Sequence, residues 1–303
     1  MMIYSKNKQC LNILNSDNMD LKGIKFSKLH GLGNDYVIID ESVNEVIPED
    51  KKEEVCKFIG DRHFGVGSDG ILFVYPSKIA DIGYRMFNPD GTEAEMCGNG
   101  IRCFGRFIYE NNIVKKEKIG IETKDGIKNM NITFENEEPF LFKVDMGLSK
   151  FKTSEVPMNT DKDEFLNEEF KINDTTFNLS AVNIGNPHAI ILVDNVDSID
   201  INELGPVIEN HESFPEKTNV HFVEIISDSE AKMITWERGA GATLACGTGA
   251  TGTAIVSYKL GLLNNDILLH LPGGDLKFNV YEKDGDIGAF MEGPAEFVFN
   301  GEF

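Results

Sequence analysis

Two cysteines stand apart in this 303-residue chain because each heads a glycine turn: Cys97-Gly98-Asn99-Gly100 and Cys246-Gly247-Thr248-Gly249. Each turn opens a stretch that reads as a helix, so each thiol is expected at a helix N-terminus. Unpaired backbone N–H groups and the helix dipole acidify a thiol there and form an anion cradle, and the glycines let a ligand approach the backbone. A lone cysteine is usually a small buried hydrophobe, and Cys10, Cys56 and Cys103 are read that way. Inverting a stereocentre demands a base on one face and an acid on the other. Two opposed thiols meet that demand, with N–H groups at both helix starts holding the α-carboxylate and the charge that develops as the proton leaves.

Competing chemistries have weaker support. Gly65-Val66-Gly67-Ser68-Asp69-Gly70 has the form G-x-G-x-x-G but precedes a strand, whereas a dinucleotide fingerprint must precede a helix. Gly247-Thr248-Gly249-Ala250-Thr251-Gly252 does open a helix, with Asp266 near the place of a ribose-binding acid, which keeps a nucleotide-binding oxidoreductase as a rival. Too little chain follows, however, for the β–α alternation of a mononucleotide-binding half. The histidines (His30, His63, His188, His211, His221, His270) lack metal-ligand spacing, and no C-x-x-C, Gly-x-Ser-x-Gly or Walker A sequence is present. Neither a metal nor a cofactor is expected.

The elements that must hold the two turns are short strands. FSKLHGLGNDYVIID reads as strand, glycine turn, strand, and Pro48 to Ile59 has near-helical spacing. Strands follow at Ile71 to Tyr75 and Ile82 to Phe87, the latter stopped by Asn88-Pro89-Asp90-Gly91. Ile101, Phe104, Phe107 and Ile108 give the stretch from Gly98 to Asn111 an amphipathic helical pattern. Hairpin-like strands come next at Lys118 to Thr123, Ile127 to Phe134 and Phe140 to Met146. The acidic stretch from Pro157 to Asn178 is expected to be a surface excursion. Strands at Ser180 to Ile184 and Ala189 to Val193 bracket the turn Gly185-Asn186-Pro187-His188. Two more, Asn219 to Ile226 and Ala231 to Trp236, lead to a second helix from about Gly247 to Leu260, with closing strands around Leu268, Phe278 to Tyr281 and Phe297 to Phe299.

The halves share this order, which predicts an α+β protein of two similar domains, each a curled antiparallel or mixed sheet around a central helix. The expected division is 23–143 plus 292–303 for the domain with Cys97 and 144–291 for the domain with Cys246. Residues 1–22 are expected to be a disordered leader.

Composition bounds the partners. A formal net charge of -21 speaks against a nucleic-acid groove or an anionic membrane surface, both of which need a positive face. With 41% hydrophobic residues the chain can build a core, yet no apolar run reaches the roughly 18 residues of a membrane span. Five cysteines are too few and odd in number for a disulfide scaffold, and the polar leader lacks a secretory pattern, so a reducing cytoplasm is expected.

Six segments sharpen the reading: FSKLHGLGNDYV, DRHFGVGSDG, FNPDGTEAEMCGNGIRC, VNIGNPHAI, TNVHFVE and WERGAGATLACGTGA. In this order, and across residues 24–303, the chain resembles the diaminopimelate epimerase family. The resemblance implies cofactor-independent interconversion of LL- and meso-2,6-diaminopimelate, in lysine and peptidoglycan precursor biosynthesis, at a cleft between two domains of similar fold. It makes Cys97 and Cys246 the acid/base pair, and it assigns the reacting carboxylate to Gly98, Asn99, Gly247 and Thr248. The distal amino-acid head falls to Asn34, Asn88, Asn186, Asn219, Glu237 and Arg238, a set whose amides, guanidinium and carboxylate suit a zwitterion. His188 and Glu237 match residues that tune the two thiols. A homodimer is implied, with Phe299 where relatives often carry Tyr at the dimer contact, and Gly70 stands where some members place a substrate-contacting Gln. Proline racemase or hydroxyproline epimerase is the rival on the same scaffold; Asn99 and the Glu237-Arg238 pair argue against it, since proline has no distal head.

Overall fold

The computed structural model describes residues 21–303 other than Glu95 and Asp174, so the expected leader lies outside the described residues but for Leu21 and Lys22, as does Cys10. Four α-helices are described: α1 (Lys52–Gly60), α2 (Gly98–Glu110), α3 (Ile201–Glu209) and α4 (Gly247–Lys259).

Strand pairing repeats itself along the chain. Lys25–Gly31 and Asn34–Asp40 form an antiparallel hairpin, and Asn34–Asp40 runs parallel to Gly70–Tyr75 after a crossover through α1. Gly70–Tyr75 pairs antiparallel with Ile82–Phe87, which runs parallel to Lys118–Thr123 after a crossover through α2. Gly126–Glu135 and Glu138–Leu148 complete a meander. The second half begins with the hairpin Thr175–Asn183 and Pro187–Leu192, then Asn219–Ile225 lies parallel beyond α3, and Glu230–Glu237 is antiparallel to that. Asp266–Leu271 lies parallel beyond α4, and a meander through Gly274–Lys283 and Asp286–Gly293 closes the unit. The meanders join edge to edge, Glu138–Leu148 against Asp286–Gly293, and Glu296–Glu302 crosses back to flank Lys25–Gly31. The expected boundaries at 143/144 and 291/292 fall inside the two joining strands. The α+β reading with two repeated units and mixed sheets is what the chain adopts.

The period-2 geometry of a strand explains how each sheet serves two cores. Tyr36 and Ile38 pack into the large core that surrounds α2 and α4, whereas Val37 and Ile39 pack with Val55, Cys56 and Ile59 of α1. Helix α2 keeps its amphipathic pattern yet is enclosed on nearly all sides, its Arg102 fully buried. Gly105 permits this, since a Cβ there would stand 2.2 Å from Met130 Sδ. Helix α4 is lined by Ala250, Gly252 and Ala254, which let Val182 and Ile190 of the neighbouring strands come close.

One expectation changed, one helix was not foreseen, and the reading of the second glycine run stands. The stretch from Pro157 to Asn178 is not a surface excursion: Met158, Phe165, Phe170 and Ile172 are buried, and Glu168–Ile172 pairs with Thr175–Asn183. Its charged residues alternate with these apolar ones, and alternation is enough to make an edge strand. Helix α3, which the sequence did not announce, is capped by Asp200, whose carboxylate accepts from the N–H groups of Asn202 and Glu203. The glycine run of α4 is followed by an antiparallel meander, not by the parallel β–α repeats of a dinucleotide fold.

Candidate active site

Cys97 and Cys246 occupy the N-cap positions of α2 and α4, both in extended backbone, with φ of -129° and -115°. The first helical residues, Gly98 and Gly247, meet. A Cβ on Gly98 would stand 3.3 Å from Gly247 Cα. Two helix N-termini, with their unpaired N–H groups and like dipole ends, thus converge on one place, an arrangement that favours an anion between them. They open on a cavity of about 470 Å³ whose walls come from both halves: Asn34, Asn88, Cys97, Gly98 and Asn99 from one, Asn186, Glu237, Arg238, Cys246, Gly247 and Thr248 from the other.

The two thiols sit in different company. Tyr36 Oη lies 2.9 Å from Cys97 Sγ, and Asn34 Oδ1 lies 3.9 Å from it. Cys246 Sγ accepts from the Gly249 N–H at 3.4 Å and lies 3.6 Å from Thr248 Oγ1. Glu237 is hydrogen-bonded to Cys246 and accepts from Thr243 Oγ1 at 2.6 Å. The helix N–H groups of Gly100 and Gly249 do pull the thiols toward ionisation, as the sequence suggested. Burial is nevertheless larger, and it pushes both Cys97 and Cys246 above the ordinary thiol range, against the acidification expected from the helix N-termini. Cys246 is pushed further, because the Glu237 charge adds to its burial. Burial also holds the Glu237 carboxyl above its ordinary range, against the hydrogen bonds from Thr243 and Cys246.

Comparison with known proteins decides the family: the family model for diaminopimelate epimerase matches residues 26–152 and 180–298. The chain belongs to the diaminopimelate epimerase family. It is 52% identical to the diaminopimelate epimerase of Methanothermobacter thermautotrophicus, covering 92% of this chain and 98% of that one. The diaminopimelate epimerase of Methanocaldococcus jannaschii is 44% identical, with 91% and 97% covered. Among solved structures, a PhzF-family phenazine biosynthesis protein from Bacillus anthracis is similar with a TM-score of 0.71 at 17% identity, covering 93% of this chain and 99% of that one. A probable proline racemase from Agrobacterium radiobacter gives 0.71 at 15%, with 92% of each chain covered. At such identities the likeness concerns the fold alone.

Within this diaminopimelate epimerase family frame, several side chains stand elsewhere than the resemblance implied. Asn34, assigned to the distal head, lines the cavity on the side of Cys97. Its Nδ2 donates to Asp69 Oδ2 at 2.6 Å, and its Oδ1 accepts from Asn99 Nδ2 at 3.1 Å. Asn99 Nδ2 also donates to the Ala245 carbonyl at 2.9 Å, tying the start of α2 to the opposite half. Both Nδ2 hydrogens are thereby used, which leaves the backbone N–H as the donor Asn99 can offer a carboxylate. Asn219 stands behind the wall, 3% exposed, donating to the Pro187 carbonyl at 2.9 Å and accepting from the Arg238 N–H at 3.0 Å. It clamps the segments that carry Asn186 and Arg238 rather than lining the cavity. Gly70 is packed under Met86, whose Cε would stand 2.8 Å from a Cβ there, so Met86 fills the space of a longer side chain.

His188 is fully buried in a chain of hydrogen bonds. Its Nε2 meets Asn186 Oδ1 at 2.7 Å, its Nδ1 meets His221 Nε2 at 2.9 Å, and His221 Nδ1 meets Thr235 Oγ1 at 2.8 Å. Burial keeps both rings neutral, dropping His221 to about 3. His188, His221 and Cys246 offer ligand atoms within 4.8 Å of one another, a cluster that linear spacing could not reveal. Both nitrogens of each ring are already spent on the chain. Sequence reasoning took His221 for an ordinary histidine, although its i, i+2 spacing from Asn219 on a strand put both on one face. Tyr36 and Asp69 were missed as well; Tyr36 sits in an apolar run that reads only as core.

Proposed function

We propose that this chain interconverts LL- and meso-2,6-diaminopimelate by passing a proton across one α-carbon between Cys97 and Cys246, in lysine and peptidoglycan precursor synthesis. The observation that carries the reading is the meeting of the two cysteine-capped helices at Gly98 and Gly247 over a single cavity. One thiolate abstracts the α-proton while the opposite thiol delivers its own. The first-turn N–H groups of α2 and α4, from Gly98, Asn99, Gly247 and Thr248, take the reacting carboxylate and stabilise the charge that forms beside it. Arg238, Asn186 and Asn88 receive the distal head, Asn219 holding Arg238 in place. His188 acts through Asn186, and Glu237 through the Cys246 thiol. The residues supply both acid and base, so the reading invokes neither a metal nor PLP.

The homodimer belongs to the same reading. Glu296–Glu302 pairs on one side with Lys25–Gly31, and it exposes Val298 and Phe299, at 54% and 47%. Such an edge invites a second copy. A cytoplasmic location accords with the free thiols of Cys56, Cys97, Cys103 and Cys246. Among the described residues no helix is long and apolar enough to cross a membrane.

The test is chiral analysis of LL-diaminopimelate incubated in deuterium oxide with the purified, reduced protein. Meso product carrying deuterium at one α-carbon is expected, and either Cys97→Ala or Cys246→Ala should abolish it. Turnover by the double alanine variant, or inversion of proline instead, would sink the reading.

A further inference from the structure

Tyr36 lies on the strand Asn34–Asp40, fully buried, and its hydroxyl has two neighbours able to accept a hydrogen bond: Cys97 Sγ at 2.9 Å and Asn34 Oδ1. A phenol has one hydrogen to give. Which acceptor takes it depends on the state of the sulfur. We propose that Tyr36 is a third catalytic group, whose hydroxyl donates to the Cys97 thiolate and turns its hydrogen to Asn34 Oδ1 when that sulfur takes the substrate's proton.

The surroundings fix the roles. Asn34 cannot present its amide nitrogen to Tyr36, because Nδ2 donates to Asp69 Oδ2 at 2.6 Å and Asp69 is in turn held by Arg62 at 2.6 Å. Its Oδ1 is therefore the acceptor, as the bond from Asn99 Nδ2 also requires. With Cys97 protonated, Tyr36 donates to Asn34 and its oxygen can accept the S–H. With Cys97 ionised, the same hydrogen serves the sulfur. Burial and the nearby Cys97 charge hold the phenol well above its ordinary range, so Tyr36 keeps its own proton throughout.

Other groups around the sulfur do not replace it. The Tyr84 hydroxyl is engaged with the Cys97 backbone and donates to Met86 Sδ at 3.3 Å. Arg102 on α2 points its Nη1 to the Gly98 carbonyl at 3.1 Å. Cys103 is pushed up to about 12 by burial, and Glu237 acts on Cys97 from the opposite half as a like charge. The N–H groups of Asn99 and Gly100 assist Cys97, much as Gly249 assists Cys246. Cys246 has a carboxylate beside it where Cys97 has a phenol. The asymmetry makes the Cys97 thiolate the easier of the two to form, and Cys97 the base in one of the two reaction directions.

The step balances. The α-carbon's C–H bond breaks as an S–H bond forms at Cys97, and the S–H bond of Cys246 breaks as a new C–H bond forms on the other face. Tyr36 changes only its acceptor, and no oxidant or additional reactant takes part.

The proposal rests on Cys97 being an acid/base residue, but its test needs no substrate. In Cys246→Ala protein, alkylation of Cys97 by iodoacetamide is followed against pH by peptide mass spectrometry, with and without Tyr36→Phe. A hydrogen bond to an ionised group is lost, so alkylation near neutral pH should slow by on the order of tenfold or more, with the midpoint moving up. The Cys246 profile, read in Cys97→Ala protein, should stay in place when Tyr36→Phe is added. An unmoved Cys97 profile overturns the proposal. Should Tyr36→Phe fail to fold, near-ultraviolet tyrosine absorbance of Cys246→Ala protein should titrate together with thiolate absorbance. A tyrosine spectrum that does not change as the thiolate forms overturns it equally. Failure of the functional reading looks different, as undiminished epimerisation by Cys97→Ala.

Discussion

Gly98 and Gly247 touch backbone to backbone, a Cβ on Gly247 standing only 3.1 Å from Gly98 Cα. Each residue is the first of a helix capped by a cysteine, so this contact sets the separation of the two thiols. Gly247→Ala should wedge the helices apart. We expect a stability loss of about 1–3 kcal/mol in urea unfolding. Turnover should fall far more than stability alone explains, because small misplacements of reacting groups cost about a hundredfold. Full activity at saturating substrate would show that the contact does not position the thiols.

Glu237 and Cys246 form the second relationship with a measurable sign. The carboxylate disfavours the Cys246 thiolate both as a like charge and as a hydrogen-bond acceptor for the thiol. Glu237→Gln should therefore move Cys246 alkylation to lower pH and leave Cys97, whose nearest partner is Tyr36, much less affected. A shift to higher pH would reverse the assignment of charge around this sulfur.

Asn219 joins the Pro187 carbonyl to the Arg238 N–H from a buried position. Removing it in Asn219→Ala leaves both groups without that partner, a cost of about 1–3 kcal/mol for each that stays dry. The kinetic consequence is expected in KM more than in kcat, because Arg238 faces the distal head and not the reacting carbon. An equal loss in both would place Asn219 nearer the chemistry.

Acid should loosen the wall behind Asn34. Burial alone would raise Asp35, but hydrogen bonds from Arg62 and Lys28 bring its carboxyl down from 3.8 to about 2. A carboxyl depressed in the folded state contributes its stability in full above pH 3.8. That contribution is lost as the pH falls from there toward 2. Denaturation followed across this window should flatten in Asp35→Asn; an unchanged acid limb would assign it to other carboxylates.

Much of the fold could be read from local pattern. The β-branched run Val37-Ile38-Ile39, the turn after Phe87 and the glycine-headed helices at Gly98 and Gly247 are each specified within a few residues, and all stand where expected. Phe165, Phe170 and Ile172 were misplaced because their charged neighbours masked a period-2 alternation, and burial of such a strand is settled by the sheet it joins. Asn34 and Asn219 show the same limit at the site. An asparagine's sequence context says that it turns or binds; whether Nδ2 faces a ligand, Asp69 or the Pro187 carbonyl depends on residues distant along the chain.

The sequence by itself determined the two reactive turns, their helices, the duplicated order of elements and the family, since these depend on residue type and short spacing. Only the tertiary structure decided that Gly98 and Gly247 touch, that a phenol stands at one thiol and a carboxylate at the other, and that burial outweighs the helix N–H groups. The reason is physical. Propensity, capping and turn chemistry act over a few residues, whereas desolvation and hydrogen-bond direction depend on whichever distant side chain the packing brings alongside.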